Sequence, residues 1–131
     1  MASTTIEQAL DVKLRANTTW LATLTGGLHA YGAPDPATLP YGFYSVISDP
    51  TDEEAFDNTD SGTFRIQFDF ITATKAGKSI ALAARRILNH LSGSLDGIAV
   101  TWTRAEAPRD VRLTTSGYQW QFDVQGEYTR A

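Results

Sequence analysis

Few residues in this chain have the type and spacing to do chemistry. Gly77-Lys78-Ser79 follows an expected strand and opens an expected helix, the setting in which backbone amides and a lysine hold phosphate. A phosphate loop, G-x-x-x-x-G-K-[ST], also needs glycine at its first position. Thr72 stands there, so the segment reads as an ordinary helix start. Asp49, Asp52, Glu53, Glu54, Asp57 and Asp60 crowd one stretch, and carboxylates of this kind ligate hard cations such as calcium. Their order does not follow the EF-hand pattern around a central glycine, so they read as a solvated or partner-facing acidic loop.

His29 and His90 are the two histidines, far apart in sequence. A serine triad would need a nucleophile on a tight turn and an acid to orient the base, and no G-x-S-x-G-like segment is present. His90 reads instead as a helix C-terminal residue facing the dipole. Arg85 and Arg86 lie together, Arg104, Arg109 and Arg112 cluster further on, and Arg65 sits alone. With 15 acidic residues and a net charge of −4, these arginines read as ion-pair partners rather than a phosphate-binding face. With Cys 0 there is no disulfide, thiolate nucleophile or thiolate metal site. Catalytic, metal and cofactor residues are therefore expected to be none.

Thr4-x-x-Glu7 has the spacing of a capping box, and Ile6, Leu10 and Leu14 make the apolar stripe of the helix it opens. Asn17-Thr18-Thr19 breaks that helix and caps a short one carrying Trp20, Leu21 and Leu24, which Gly26-Gly27 stops. From Leu28 to Pro40, Gly32, Pro34, Pro36 and Pro40 mark a loop. Tyr41 to Ile47 reads as a strand, and about 48–62 as a flexible acidic connection.

Phe64, Ile66, Phe68 and Phe70 alternate with Arg65, Gln67 and Asp69, the period of a strand with one buried and one wet face. Ile80, Ala83, Ala84, Ile87, Leu88 and Leu91 then fall on one face of a core helix ended by Ser92-Gly93-Ser94. Ile98, Val100 and Trp102 alternate as a third strand, and 105–117 is turn-rich. In the last strand Tyr118, Trp120, Phe122, Val124 and Tyr128 alternate with Gln119, Gln121, Asp123, Gln125 and Glu127. The expectation is one α+β domain over 1–131, a four-stranded, mainly antiparallel sheet with helices packed on one face, in the order α-β-β-α-β-β. The strand aromatics are core residues; Trp20, Trp102 and Tyr44 are candidates for an interface.

The N-terminus lacks the basic start and apolar run of a secretory signal, and polar residues interrupt every hydrophobic stretch well short of the ~18 needed to span a membrane. Neither export nor membrane insertion is expected.

The composite of Ile6-Glu7-Gln8-Ala9-Leu10, Leu39-Pro40-Tyr41-Gly42-Phe43, Arg65-Ile66-Gln67-Phe68-Asp69-Phe70, the Lys78 to Leu91 helix, Ile98-Ala99-Val100 and Tyr118-Gln119-Trp120-Gln121-Phe122-Asp123-Val124 resembles the tail-terminator or tail-completion family of long-tailed bacteriophages. The resemblance spans nearly the whole chain. It implies a structural virion protein, not an enzyme: a homo-hexameric ring, assembled in the host cytoplasm, that caps the tail tube and joins it to the head-side connector or stopper. No cofactor is implied, and DNA would pass through the lumen without specific binding. An acidic lumen would let DNA pass where a basic one would retain it. The resemblance thus offers the acidic loop to the ring axis or an axial partner. It offers Arg65, Gln67, Asp69, Arg104, Arg109, Arg112, Gln119 and Gln121 as candidate interface or lumen residues. Another neck component, a stopper or adaptor, is the neighbouring reading. A small ligand-binding domain with a pocket beneath 28–40 and a regulatory module with a basic recognition helix are the readings from other classes.

Overall fold

The computed structural model describes residues 5–30, 38–48, 61–95, 97–111 and 117–130. Its centre is one antiparallel pair, β3 (Ser61–Thr72) and β7 (Tyr118–Arg130), joined in unbroken register from Ser61↔Thr129 to Thr72↔Tyr118. The alternation of aromatic and polar residues in both strands sets this register. A slip of one residue would turn Phe64, Ile66, Phe68 and Phe70 away from the core.

Around this pair stand β1 (Leu28–Ala30), β2 (Tyr41–Ser48), β4 (Gly93–Leu95), β5 (Ile98–Ala105) and β6 (Arg109–Asp110). The sheet is 7-stranded, in the order β1-β2-β3-β7-β5-β4, with β6 also paired to β7. β1 pairs with β2 in parallel, and every other pairing is antiparallel. The helices are α1 (Ile6–Ala16), α2 (Thr18–Thr23) and α3 (Lys78–Leu88), the last entered through a 3-10 turn at Lys75–Gly77.

The expected four-stranded α+β sheet with helices on one face is thereby corrected. The described chain is mostly β, a mixed sheet curled into a half-barrel. Three strands escape the sequence because they are two or three residues long and sit in Gly-, Pro- or Ser-containing stretches, too short for a period to register. Leu28–Ala30, expected as loop, is one of them. Residues 49–60, most of the expected acidic loop, lie outside the described residues, and β3 already begins at Ser61.

Helix α1 is capped by Thr5, not Thr4: the Thr5 side chain accepts from the Gln8 amide at 3.2 Å while the Gln8 side chain accepts from the Thr5 amide at 3.0 Å. This register leaves Glu7 in the first turn, where the dipole favours a carboxylate. Asn17 ends α1 and caps α2, its side chain accepting from Trp20 N at 3.0 Å. The core joins Ile6, Leu10 and Leu14 of α1 to Ala81, Ala84 and Leu88 of α3 and to the inward rows of β3, β5 and β7. Phe68 stacks on Phe122 at 5.6 Å and tilts against Tyr44 at 5.5 Å. Each such ring, fully buried, contributes about 1.5–3 kcal/mol. The α3 stripe is rotated from its expected position: Ala81 is fully buried, whereas Ile80, Ala83 and Ile87 are only partly so.

β5 carries the clearest departure. Its register shifts between Val100 and Trp102, one extra residue against β7, so Trp102 turns outward at 40% exposure and Thr103 turns inward at 2%. Thr103 then serves the end of α3. Its hydroxyl donates to Leu88 O at 2.6 Å and accepts from Leu91 N at 2.8 Å. Gly126 makes room for the bulge, since a Cβ there would lie 2.2 Å from the Trp102 carbonyl oxygen.

Beyond Thr103 the outer edge of β5 is closed by the α3 terminus. Ala105 N donates to Asn89 Oδ1 at 2.9 Å, Arg85 Nε donates to Ala105 O at 2.9 Å, and His90 N donates to Thr103 O at 3.0 Å. An open strand edge would otherwise offer these groups to another chain.

Candidate interaction surface

The face of β3 and β7 turned away from the core is where six of the sequence-predicted residues meet. Cross-strand partners there run Phe43↔Asp69↔Gln121↔Arg109, and Arg65↔Gln125↔Arg104 in a further row. Strand period expects this face to be wet. Asp69 is instead 1% exposed and Asp123 5%.

Burial of these carboxylates is tolerated because they are bonded. Asp69 Oδ1 accepts from Gln119 Nε2 and Gln121 Nε2, both at 2.9 Å, and Asp69 Oδ2 accepts from Gln67 Nε2 at 3.0 Å. Gln121 Oε1 in turn accepts from Arg109 Nη2 at 2.7 Å. Asp123 Oδ2 accepts from Arg65 Nε at 2.9 Å and Nη2 at 2.7 Å. The hydrogen bond and the carboxylate charge hold the Arg65 guanidinium above its ordinary pKa. Asp123 Oδ1 and Glu106 Oε1 are buried atoms without a hydrogen-bond partner, and they lie 4.0 and 3.6 Å from Arg109 nitrogens. The layer is thus a cross-linked plate of amides and ion pairs rather than loose solvated side chains.

Arg65, Gln67, Asp69, Gln119, Gln121 and Arg109 belong to this plate. Arg104 is exposed in the row beside it. Arg112, Asp49, Asp52, Glu53, Glu54, Asp57 and Asp60 lie outside the described residues. Asp123 and Glu106 were not among the expected site residues. Asp123 was legible only as one more polar residue in the alternation, since its ion pair spans two strands.

The Gly77-Lys78-Ser79 segment is accounted for locally. Ser79 Oγ donates to Ala76 O at 3.1 Å, and Lys78 Nζ lies 5.7 Å from the centre of the Trp120 ring. Among the described residues no group of three or more His, Asp or Glu side chains is placed to hold a metal ion, and no helix is long and apolar enough to cross a membrane.

Elsewhere, α2 and α3 flank an open groove of about 300 Å³ lined by Asn17, Thr19, Trp20, Thr23, Ser79, Ile80 and Ala83. Trp20 forms part of its wall because its indole N–H donates to Ile80 O at 3.0 Å and its ring meets Phe70 edge-on at 6.0 Å. A more polar cleft of about 590 Å³ adjoins it through Asn17 and Thr19 and carries Lys13 and Arg86. This groove was not foreseen, because it arises where two helices distant in sequence meet.

No protein-family model matches the chain. No curated protein matches it either. Among solved structures the chain is similar to one in the virion of a native gene transfer agent (GTA) particle, with a TM-score of 0.68 and 15% identity, over 95% of this chain and 94% of that one. At this identity the likeness is one of fold, and it runs almost end to end: this chain has the fold of a component of that virion.

Proposed function

We propose that this chain is a structural virion protein, a subunit of the ring that caps a phage-type tail tube and joins it to the head-side connector, leaving a passage for DNA. The carrying observation is the nearly complete fold match to a chain of a gene transfer agent virion. The composite of elements that resembles the tail-terminator family points the same way. On this reading the protein works by assembly and not by catalysis, as a homo-hexamer, with the tail tube protein and a connector or stopper as its axial partners.

The plate on the outer face of β3 and β7 suits such a role. Its side chains are held by one another, so little rotamer entropy would be lost on contact with a neighbour or on lining a channel. Paired charges also present no net basic surface on which DNA would stick.

The test is mass measurement of the purified protein, followed by electron microscopy of isolated tail tubes mixed with it. A six-fold particle and capped tubes are expected. A protein that stays monomeric at high concentration and leaves tubes uncapped would defeat the proposal.

A further inference from the structure

We propose that the acidic segment 49–60 of one copy of this chain docks in the α2–α3 groove of the next, with Phe56 against Trp20 and the neighbouring carboxylates on Lys13 and Arg86. This deepens the ring reading and rests on it.

The groove and its adjoining cleft carry a positive charge that nothing on their walls offsets. Lys13 and Arg86 line the cleft, and no Asp or Glu stands beside them there. Helix α3, which supplies Arg86, contains no acidic residue at all. Among the described residues neither base makes an ion pair. Thr19 is exposed where groove meets cleft, and its hydroxyl has no hydrogen-bond partner among the described residues. Trp20, Ile80 and Ala83 form the apolar wall beside it. The fitting occupant is therefore an acidic peptide that brings a polar backbone to Thr19 and one aromatic side chain to Trp20.

The chain contains that peptide. Asp49, Asp52, Glu53, Glu54, Asp57 and Asp60 fall between 49 and 60, with no Lys or Arg among them, so the charge of the segment is not balanced from within. Phe56 is its one aromatic residue, with Glu54 and Asp57 on either side. No other stretch of the chain is so acidic.

Covalent reach assigns the segment to a neighbouring copy. Phe56 precedes Ser61 by five residues, so their Cα atoms are at most ~18 Å apart. Trp20 meets Phe70, nine residues beyond Ser61 and thus about 30 Å along β3. Phe56 falls short of the groove in its own copy. The groove and Ser61, where the segment rejoins the sheet, thus stand toward opposite ends of β3, which makes the contact heterologous. Repetition of such a contact closes rings instead of two-fold dimers.

The absence of cysteine makes the contact easy to trap. Chains carrying Glu54→Cys mixed with chains carrying Arg86→Cys should give linked pairs on oxidation that neither variant gives alone. A chain carrying both should give a ladder of linked subunits up to the full ring. Phe56→Ala should weaken association roughly tenfold or more with an unchanged circular dichroism spectrum. Arg86→Glu should also weaken it, and Glu53→Lys with Glu54→Lys in the same chain should restore it. A ring that forms but is neither linked between the two variants nor weakened by Phe56→Ala overturns this inference and leaves the ring reading standing. A disulfide confined within single chains of the double variant would put the segment in its own groove and also overturn it. Links from Glu54→Cys alone would bring two segments together instead, with the same consequence. A protein monomeric under all conditions overturns both.

Discussion

Gln119 donates its side-chain amide to Asp69 Oδ1 at 2.9 Å across the central strand pair, and the bond is buried. Gln121 and Gln67 donate to the same carboxylate, so one acid organises three amides. Asp69→Asn replaces an acceptor oxygen by an amide that confronts other amide donors. Stability should fall by about 1–3 kcal/mol, the cost of unpaired buried polar groups. Urea unfolding should show a lower midpoint with an unchanged slope.

Tyr44 donates its phenol to Asp11 Oδ2 at 2.5 Å, and Asp11 also pairs with Arg15. Burial, then the hydrogen bond and charge of Asp11, push the Tyr44 phenol well above its ordinary value of 10.0. The contribution is fully present below pH ~10 and declines above it, because the unfolded chain then gives up a proton that the folded chain keeps. Tyr44→Phe should cost about 1.5–3 kcal/mol near neutral pH. It should also flatten the loss of stability above pH ~10, read from urea midpoints across alkaline buffers.

Gly126 faces the Trp102 carbonyl and the Phe64 ring at distances that leave no room for a Cβ. Gly126→Ala should lower stability by about 1–3 kcal/mol or more by overpacking. Because the bulge must shift, the fluorescence of Trp102 should change even where the protein stays folded.

Asn89 Oδ1 occupies the Ala105 N–H at the β5 edge. Asn89→Ala should cost about 1 kcal/mol and, by opening that edge, raise the tendency to aggregate on heating. Light scattering during thermal unfolding would reveal it.

His90 adopts φ 59 just past the end of α3. Left-handed backbone costs an L-residue roughly 1–2 kcal/mol that glycine does not pay. His90→Gly should leave stability equal or raise it by up to about 1 kcal/mol, measured as a higher melting temperature. A clear loss would mean that the imidazole contributes more than the backbone strain removes.

The sequence by itself determined the two long strands and their inward faces, because Phe64 to Phe70 and Trp120 to Tyr128 alternate strongly enough to exclude a one-residue slip, whereas their pairing with each other is set by the tertiary structure. It also determined α1, α2 and the start and period of α3, through Asn17, the apolar stripes and the absence of helix breakers. Tertiary structure decided the rest. β1, β4 and β6 exist only because a longer strand stands beside each, since two or three residues carry no periodic signal. Trp102 faces outward because Thr103 is needed to close α3, a demand made by residues fifteen positions away in the chain. Asp69 and Asp123, read as wet from alternation alone, are buried because their partners come from other strands or from distant points along them. Local pattern reports which way a side chain leans, whereas what meets it there depends on contacts between segments far apart in the chain.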